Sequence, residues 1–153
     1  MASTITPANL TVTLTETVTL NGSSEDATNT LIIGTVAQVS KRIYTVSNAA
    51  YETLLELTSG RISGQKYLIS DCKYVRLTNL DNANTLHVRI INSNSENYTI
   101  KVAAGHSLMF GPDFKTGAGT GAAPITFYDI TTIQAVADPA HQPIDCELYV
   151  ASV

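Results

Sequence analysis

From Leu10 to Leu20 apolar and hydroxyl side chains take turns along the chain. Leu10, Val12, Leu14, Val18 and Leu20 face one way, with Thr11, Thr13, Thr15, Thr17 and Thr19 between them. A period of two puts successive side chains on opposite faces of an extended backbone. With one apolar face and one hydroxyl face it predicts a half-buried strand, and β-branched Thr suits the wet side of a pleated surface. Glu16 interrupts the apolar row and predicts a bend or two short strands. Asn21-Gly22 is a turn signal, and the polar stretch Ser23 to Thr30 after it predicts a longer loop rather than a tight hairpin.

The same period governs the rest of the chain. Leu31 to Val36, Val39 to Val46 and Thr53 to Leu57 read as strands; the only helical alternative, Ala49 to Leu57, has no clear cap. Tyr67 to Ile69 and Lys73 to Leu80 follow, with Tyr74, Arg76 and Thr78 on one face of the latter and Val75 and Leu77 on the other. Asp81 to Asn84 is turn chemistry, since Asn and Asp tolerate left-handed backbone and bond their own turns. Leu86 to Ile90, Tyr98 to Val102 and Ser107 to Phe110 then alternate around turns at Asn92 to Asn97 and at Gly105. Gly111 to Pro124 is a Gly/Ala-rich loop. Strands resume at Ile125 to Tyr128, Thr131 to Ala137 and Ile144 to Ala151; in the last, Ile144, Cys146, Leu148 and Val150 face in, and Asp145, Glu147, Tyr149 and Ala151 face out. Alternation rather than continuous apolar runs indicates antiparallel sheets. The expected fold is all-β, an antiparallel β-sandwich of about nine short strands with almost no helix. Jelly-roll and Ig-like topologies both remain open, because strand order is not written in alternation. Residues 1–9 are expected as an N-terminal arm and 10–153 as a single sandwich domain.

A chain of 153 residues is long enough for one core. Its 44% hydrophobic content excludes a disordered chain, while charged residues reach only 14%, so Thr, Ser and Asn supply the surface polarity. A net charge of −4 with pI near 5.2 argues against a nucleic-acid partner, which requires clustered Lys and Arg. The first residues, MASTITPANL, have neither a basic stretch nor an apolar core of a signal peptide, and no run approaches a membrane span, so a soluble protein made in a cytoplasm is expected. Two cysteines, Cys72 and Cys146, are too few and too distant for a disulfide scaffold, and read as free thiols.

No catalytic constellation stands out. Lys115-Thr-Gly-Ala-Gly-Thr-Gly has its Lys-Thr pair before the glycines and a Pro and a strand after them, whereas a phosphate loop needs Gly-Lys-Ser/Thr leading into a helix. His87, His106 and His141 fall on a strand, in a turn and in a Pro-bounded loop with no nucleophile motif beside them. Asp71, Asp81, Asp113 and Asp129 are open to glycoside chemistry, though each sits where a turn alone accounts for it. The chain has no Trp, against a stacking platform for sugars. No enzyme, no cofactor and no metal site are therefore expected. Phe110, Phe114, Phe127 and Tyr128 flank the Gly-rich loop; they read either as core closure at one end of the sandwich or as an apolar association patch.

Several stretches resemble small structural proteins of tailed bacteriophages, marine ones in particular. They are Ile5-Thr-Pro-Ala-Asn-Leu-Thr-Val-Thr followed by Leu20-Asn-Gly, Val39-Ser-Lys-Arg-Ile, Tyr74-Val-Arg-Leu-Thr-Asn-Leu-Asp, Ile100-Lys-Val-Ala-Ala-Gly-His-Ser, and the final Asp145-Cys-Glu-Leu-Tyr-Val-Ala-Ser-Val. The resemblance implies a virion component without enzymatic activity, a β-sandwich subunit on capsid, tail or neck. The expected function is a capsid decoration or cement protein in the virion, partnered by the major capsid protein or other virion subunits and forming a homo-oligomer. A tail, neck or fibre-attachment subunit and a host-glycan-binding sandwich are the alternatives. A Thr/Ser/Asn surface fits many copies packed side by side, since it brings few like charges together and few ions to desolvate. The expected partner-contacting residues are Ile5 and Pro7 in the arm and Phe110, Phe114, Phe127 and Tyr128 around the loop. Deleting Met1 to Asn9 is expected to impair docking or change the oligomeric state; particle co-sedimentation and light scattering read the two.

Overall fold

The computed structural model describes residues 5–60, 66–111, 113, 115–118, 125–138 and 143–153, which contain strands and no helix. In chain order the strands are β1 (Ala8–Glu16), β2 (Thr19–Leu20), β3 (Ser23–Ser24), β4 (Ala27–Val36), β5 (Gln38–Val46), β6 (Glu52–Thr58), β7 (Lys66–Leu68), β8 (Cys72–Asn79), β9 (Leu86–Asn92), β10 (Asn97–Val102), β11 (Ser107–Phe110), β12 (Lys115–Ala118), β13 (Thr126–Ala137) and β14 (Ile144–Ser152). Residues 52–57, open to a helical reading, are strand.

Ten strands build two sheets. One runs β11-β8-β14-β5; the other runs β10-β9-β13-β6-β7, with β12 on the first half of β13. Apart from the parallel β6·β7 pair every ladder is antiparallel. If the eight principal strands β5, β6, β8, β9, β10, β11, β13 and β14 are taken in order, the first pairs with the last, the second with the seventh, the third with the sixth and the fourth with the fifth. That is the double Greek-key winding of a jelly roll, and it decides between the two topologies the alternation left open.

The sheets pack through their alternate residues. Val75 and Leu77 of β8 and Ile144, Cys146, Leu148 and Val150 of β14 meet Leu54 and Leu57 of β6, Val88 and Ile90 of β9 and Ile133 and Ala135 of β13 in one buried cluster. The inward set read for β14 is therefore the observed one. Two buried asparagines fix corners of the roll. Asn79 donates from Nδ2 to the carbonyls of Asn84 (2.9 Å) and Val102 (3.2 Å) and accepts from the Asp81 amide (3.0 Å). Asn92 accepts from the Asn94 and Glu96 amides, both at 3.0 Å, and donates to Glu96 Oε2 and Thr116 Oγ1. Each closes a turn by bonding its backbone, and is itself a buried side chain whose polar atoms are satisfied there.

The N-terminal region departs from expectation. Asn21 and Gly22, at φ 51° and 81°, make a tight two-residue turn between β2 and β3. Left-handed backbone at both central positions is the type I′ geometry whose twist matches a hairpin, and Asn-Gly is its preferred sequence. The stretch 23–30, expected as a loop, is largely strand, and β4 pairs with β1 from Glu16↔Ala27 to Ala8↔Val36. Residues 8–36 thus form a long hairpin of their own, and the sandwich proper begins at Gln38 rather than at Leu10. Part of the expected Gly-rich loop is also strand, Lys115–Ala118; its residues 112, 114 and 119–124 lie outside the described set.

Truncating Ile133 to Ala leaves a hole between the sheets and is expected to cost about 2–5 kcal/mol, whereas Ile32→Ala on the hairpin should cost less than about 0.5 kcal/mol. Asn79→Ala strands three backbone groups and is expected to cost about 2–3 kcal/mol. Urea denaturation followed by far-UV circular dichroism checks all three.

Candidate interaction surface

The hairpin lies across the outer face of the β11-β8-β14-β5 sheet. Pairing Leu10↔Ile33 and Val12↔Leu31 puts Leu10, Val12, Leu14, Leu31 and Ile33 on one hairpin face. Leu10, Val12, Ile33 and Val36 pack on Tyr74, Tyr149 and Ala151, the outward residues of β8 and β14. At the hairpin base, Ala8 to Leu10 and Val36 adjoin Gln38 and Val39 of β5; further along, Val12, Leu14 and Leu31 face Tyr74, Met109, Phe110 and Gly111 across a mainly apolar groove of about 220 Å³. The hairpin therefore enters above β5 and leaves above β11, at opposite edges of the sheet. The bend that sends it there falls between β4 and β5. Thr35 has φ 57°, costly for a β-branched residue, and the Ala37 amide bonds the Ser152 carbonyl at 2.9 Å, tying the bend to β14.

Beside this seat the outer face is polar and cross-braced. The Glu147 carboxylate is held by the Arg76 guanidinium and by Lys41 Nζ at 2.9 Å, so charges on β5, β8 and β14 meet. Arg76 also lies over the Tyr149 ring (5.8 Å), and Tyr149 meets Tyr74 edge-on with centroids 6.0 Å apart. Ring, guanidinium and carboxylate hold one another in place and give the hairpin a rigid floor.

Every residue from Thr13 to Ile32 is exposed, including Leu14, Val18, Leu31, Leu20 at 58% and Ile32 at 63%. On the opposite edge of the sheet Val39 and Ile43 are exposed too, Ile43 at 63%. Scattered exposed apolar residues are ordinary, but a run of them along one projecting element marks an association surface. The charge is as uneven. Residues 1–40 contain Glu16, Glu25 and Asp26 and no Lys or Arg, so −3 of the chain's −4 resides there; the first cations in the chain are Lys41 and Arg42, on β5.

The residues singled out from sequence are dispersed. Ile5 and Pro7 are exposed ahead of β1. Phe110 is half-buried on β11, packed against the main core and lining the groove under the hairpin. Phe127, 63% exposed, and half-buried Tyr128 belong to the other sheet, opposite Gly117 and Thr116 of β12. Phe114 lies outside the described residues. Among the described residues of this set only Phe110 lines the groove under the hairpin, and those five form no single patch. Leu14, Leu31 and Met109 line the same groove, Tyr149 lies under the hairpin, and Val39 and Ile43 are exposed at the opposite edge of the sheet. Their signal was present in the Leu10–Val12–Leu14 row, but alternation does not say whether an apolar face is buried by its own domain.

The acidic residues are largely engaged by their surroundings. Asp81 Oδ1 accepts from the Ala83 and Asn84 amides at 2.8 and 2.6 Å, and Asp145 Oδ1 accepts from Thr45 Oγ1 at 2.7 Å; the two line a polar groove with Leu80 and Asn82. Asp71 accepts from Ser70 Oγ, and Asp113 pairs with Lys115 at 3.2 Å. His87 Nε2 stands 4.0 Å from Asp138, and His106 Nδ1 is 2.8 Å from the Ala104 carbonyl; His141 lies outside the described residues. Among the described residues no group of His, Cys, Asp and Glu is placed to share a metal ion. Cys72 and Cys146 are free, and burial pushes both thiols from 9.0 up to about 12. No protein-family model, curated protein or solved structure matches the chain.

Two outcomes follow from these contacts. Both thiols should resist a disulfide reagent at pH 8 in the folded protein and react at once on unfolding. Because their folded pKa lies above the unfolded one, the stability they confer is complete below about pH 9 and falls as pH rises toward 12, measurable as a declining urea midpoint. Tyr149→Ala removes the hairpin's floor, and a protease specific for glutamate should then cut more quickly after Glu16 and Glu25, as read by mass spectrometry.

Proposed function

We propose that the chain is a non-enzymatic structural protein of a tailed-bacteriophage particle, a capsid decoration or cement protein that strengthens the shell through many modest contacts. The observation that carries this reading is the hairpin, whose apolar and Thr-lined surface, Thr13 to Ile32, stays exposed among the described residues. A monomer with no neighbour to meet gains nothing from holding Leu14, Leu20 and Ile32 in water. The rigid jelly roll beneath it suits a subunit placed by its edges and outer face, and jelly rolls recur in viral capsid and lectin domains; that support is by analogy of fold. The resemblance of the Tyr74–Asp81 strand-and-turn and of the Asp145–Val153 ending to phage structural proteins points the same way. The low charge density lets copies crowd without mutual repulsion, and simultaneous contacts multiply weak affinities.

A tail or neck subunit is the same kind of object at another place, and copy number separates the two. Quantitative mass spectrometry of purified particles is expected to find on the order of hundreds of copies per particle for a shell protein, against about six or twelve for a ring at a symmetric neck. Absence from the particle overturns the proposal. The glycan-binding reading draws on the Asp81–Asp145 groove; specific retention on host glycan, lost in Asp145→Asn, would favour it instead.

A further inference from the structure

The hairpin and the far edge of its own sheet are complementary. The hairpin overhangs the β11 edge with an apolar face, Leu14 and Leu31, and an acidic outer part bearing Glu16, Glu25 and Asp26. At the β5 edge, among the described residues, the sheet ends in a strand hydrogen-bonded on one side only, to β14; Val39, Ile43 and the Glu147-paired Lys41 are exposed on its outer face and Arg42 is exposed on the other. These two surfaces lie at opposite edges of one sheet, so a single copy cannot bring them together.

We propose that the hairpin of one copy straps onto the β5 edge of a second copy, apolar face on Val39 and Ile43 and acidic tip beside Lys41 and Arg42. Two hairpins are poor partners for each other, since each carries −3 and no cation. An open strand edge also invites an extended segment, and beyond the hairpin base at Gln38 and Val39 no described strand pairs with the outer edge of β5. Lys41 and Arg42 do guard it against indiscriminate pairing, which makes an acidic strand the preferred occupant. Because donor and acceptor are different surfaces of each copy, the contact is head-to-tail and closes into a ring or continues as a filament. The inference rests on the reading of the hairpin as an association element but not on a place in the virion; a ring forms in solution whether or not the protein is found on particles.

The experiment is light scattering on the full chain from about 1 µM to about 1 mM, spanning weak to moderate affinities. Wild type is expected to reach a fixed multiple of 16.3 kDa or to grow steadily with concentration. Leu20→Asp spoils the donor and Ile43→Asp the acceptor; both positions are exposed, so the folded circular dichroism spectrum is expected to persist while assembly weakens at least tenfold. An equimolar mixture of the two variants joins an intact hairpin to an intact edge and is expected to give a pair of chains and nothing larger. Glu25→Lys should weaken assembly, and Arg42→Glu in the same chain should restore it. A wild type that stays monomeric, variants that assemble as wild type does, or a mixture that fails to pair overturns the proposal. Binding of the isolated monomer to another virion protein through the hairpin would name a different occupant and overturn it equally.

Discussion

Strand β14 is hydrogen-bonded along both sides, to β5 and to β8, and both of its faces are packed. Its inward residues, Ile144, Cys146, Leu148 and Val150, belong to the core between the sheets. Its outward residues set the character of the other face. Ala151 and Tyr149 accept the hairpin, and Glu147 gathers Lys41 and Arg76 from the flanking strands. Ser152 receives the Ala37 amide at the bend that launches the hairpin, at 2.9 Å. Core, cross-brace and hairpin seat are thus consequences of one doubly paired strand. A change in its register by one residue would exchange all three at once, because the side-chain period is two.

Much of this was legible beforehand because half-buried antiparallel strands write their burial into sequence. The inward and outward sets of β8 and β14 are those the alternation gives, and the all-β sandwich follows from them. The winding was not legible. Whether β5 pairs with β14 or with a sequential neighbour depends on contacts a hundred residues apart, which local patterning does not encode. The Asn21-Gly22 signal pointed to the type I′ turn that forms, while the polar run after it suggested a loop; in a hairpin with both faces wet, polar β-branched residues such as Thr28 and Thr30 belong on strands.

The site was harder to read than the fold for a related reason. Aromatic residues such as Phe127 and Phe110 draw notice as contact candidates, yet they lie on different sheets, and Phe110 is held by the core. The residues of the proposed interaction surface are mostly aliphatic and common. Leu14 and Leu31 differ from Leu10 and Ile33 in standing over the groove at the β11 edge, where they stay exposed, while the latter pair packs on Tyr74, Tyr149 and Ala151. The same ladder pattern therefore yields buried side chains at one end and exposed ones at the other.

The position of β14 in the chain bears on the order in which the molecule can be made. It follows the other described strands of the roll in chain order yet is an interior strand of its sheet, so until Ile144–Ser152 leaves the ribosome β5 and β8 have nothing between them. Until then the nascent roll must hold the apolar strands β5 and β8 without their partner, and it closes only once residues 144–152 are free. Jelly-roll pairings of such high sequence separation fold slowly, which leaves an interval when chaperones, or other copies emerging from the same message, meet open edges.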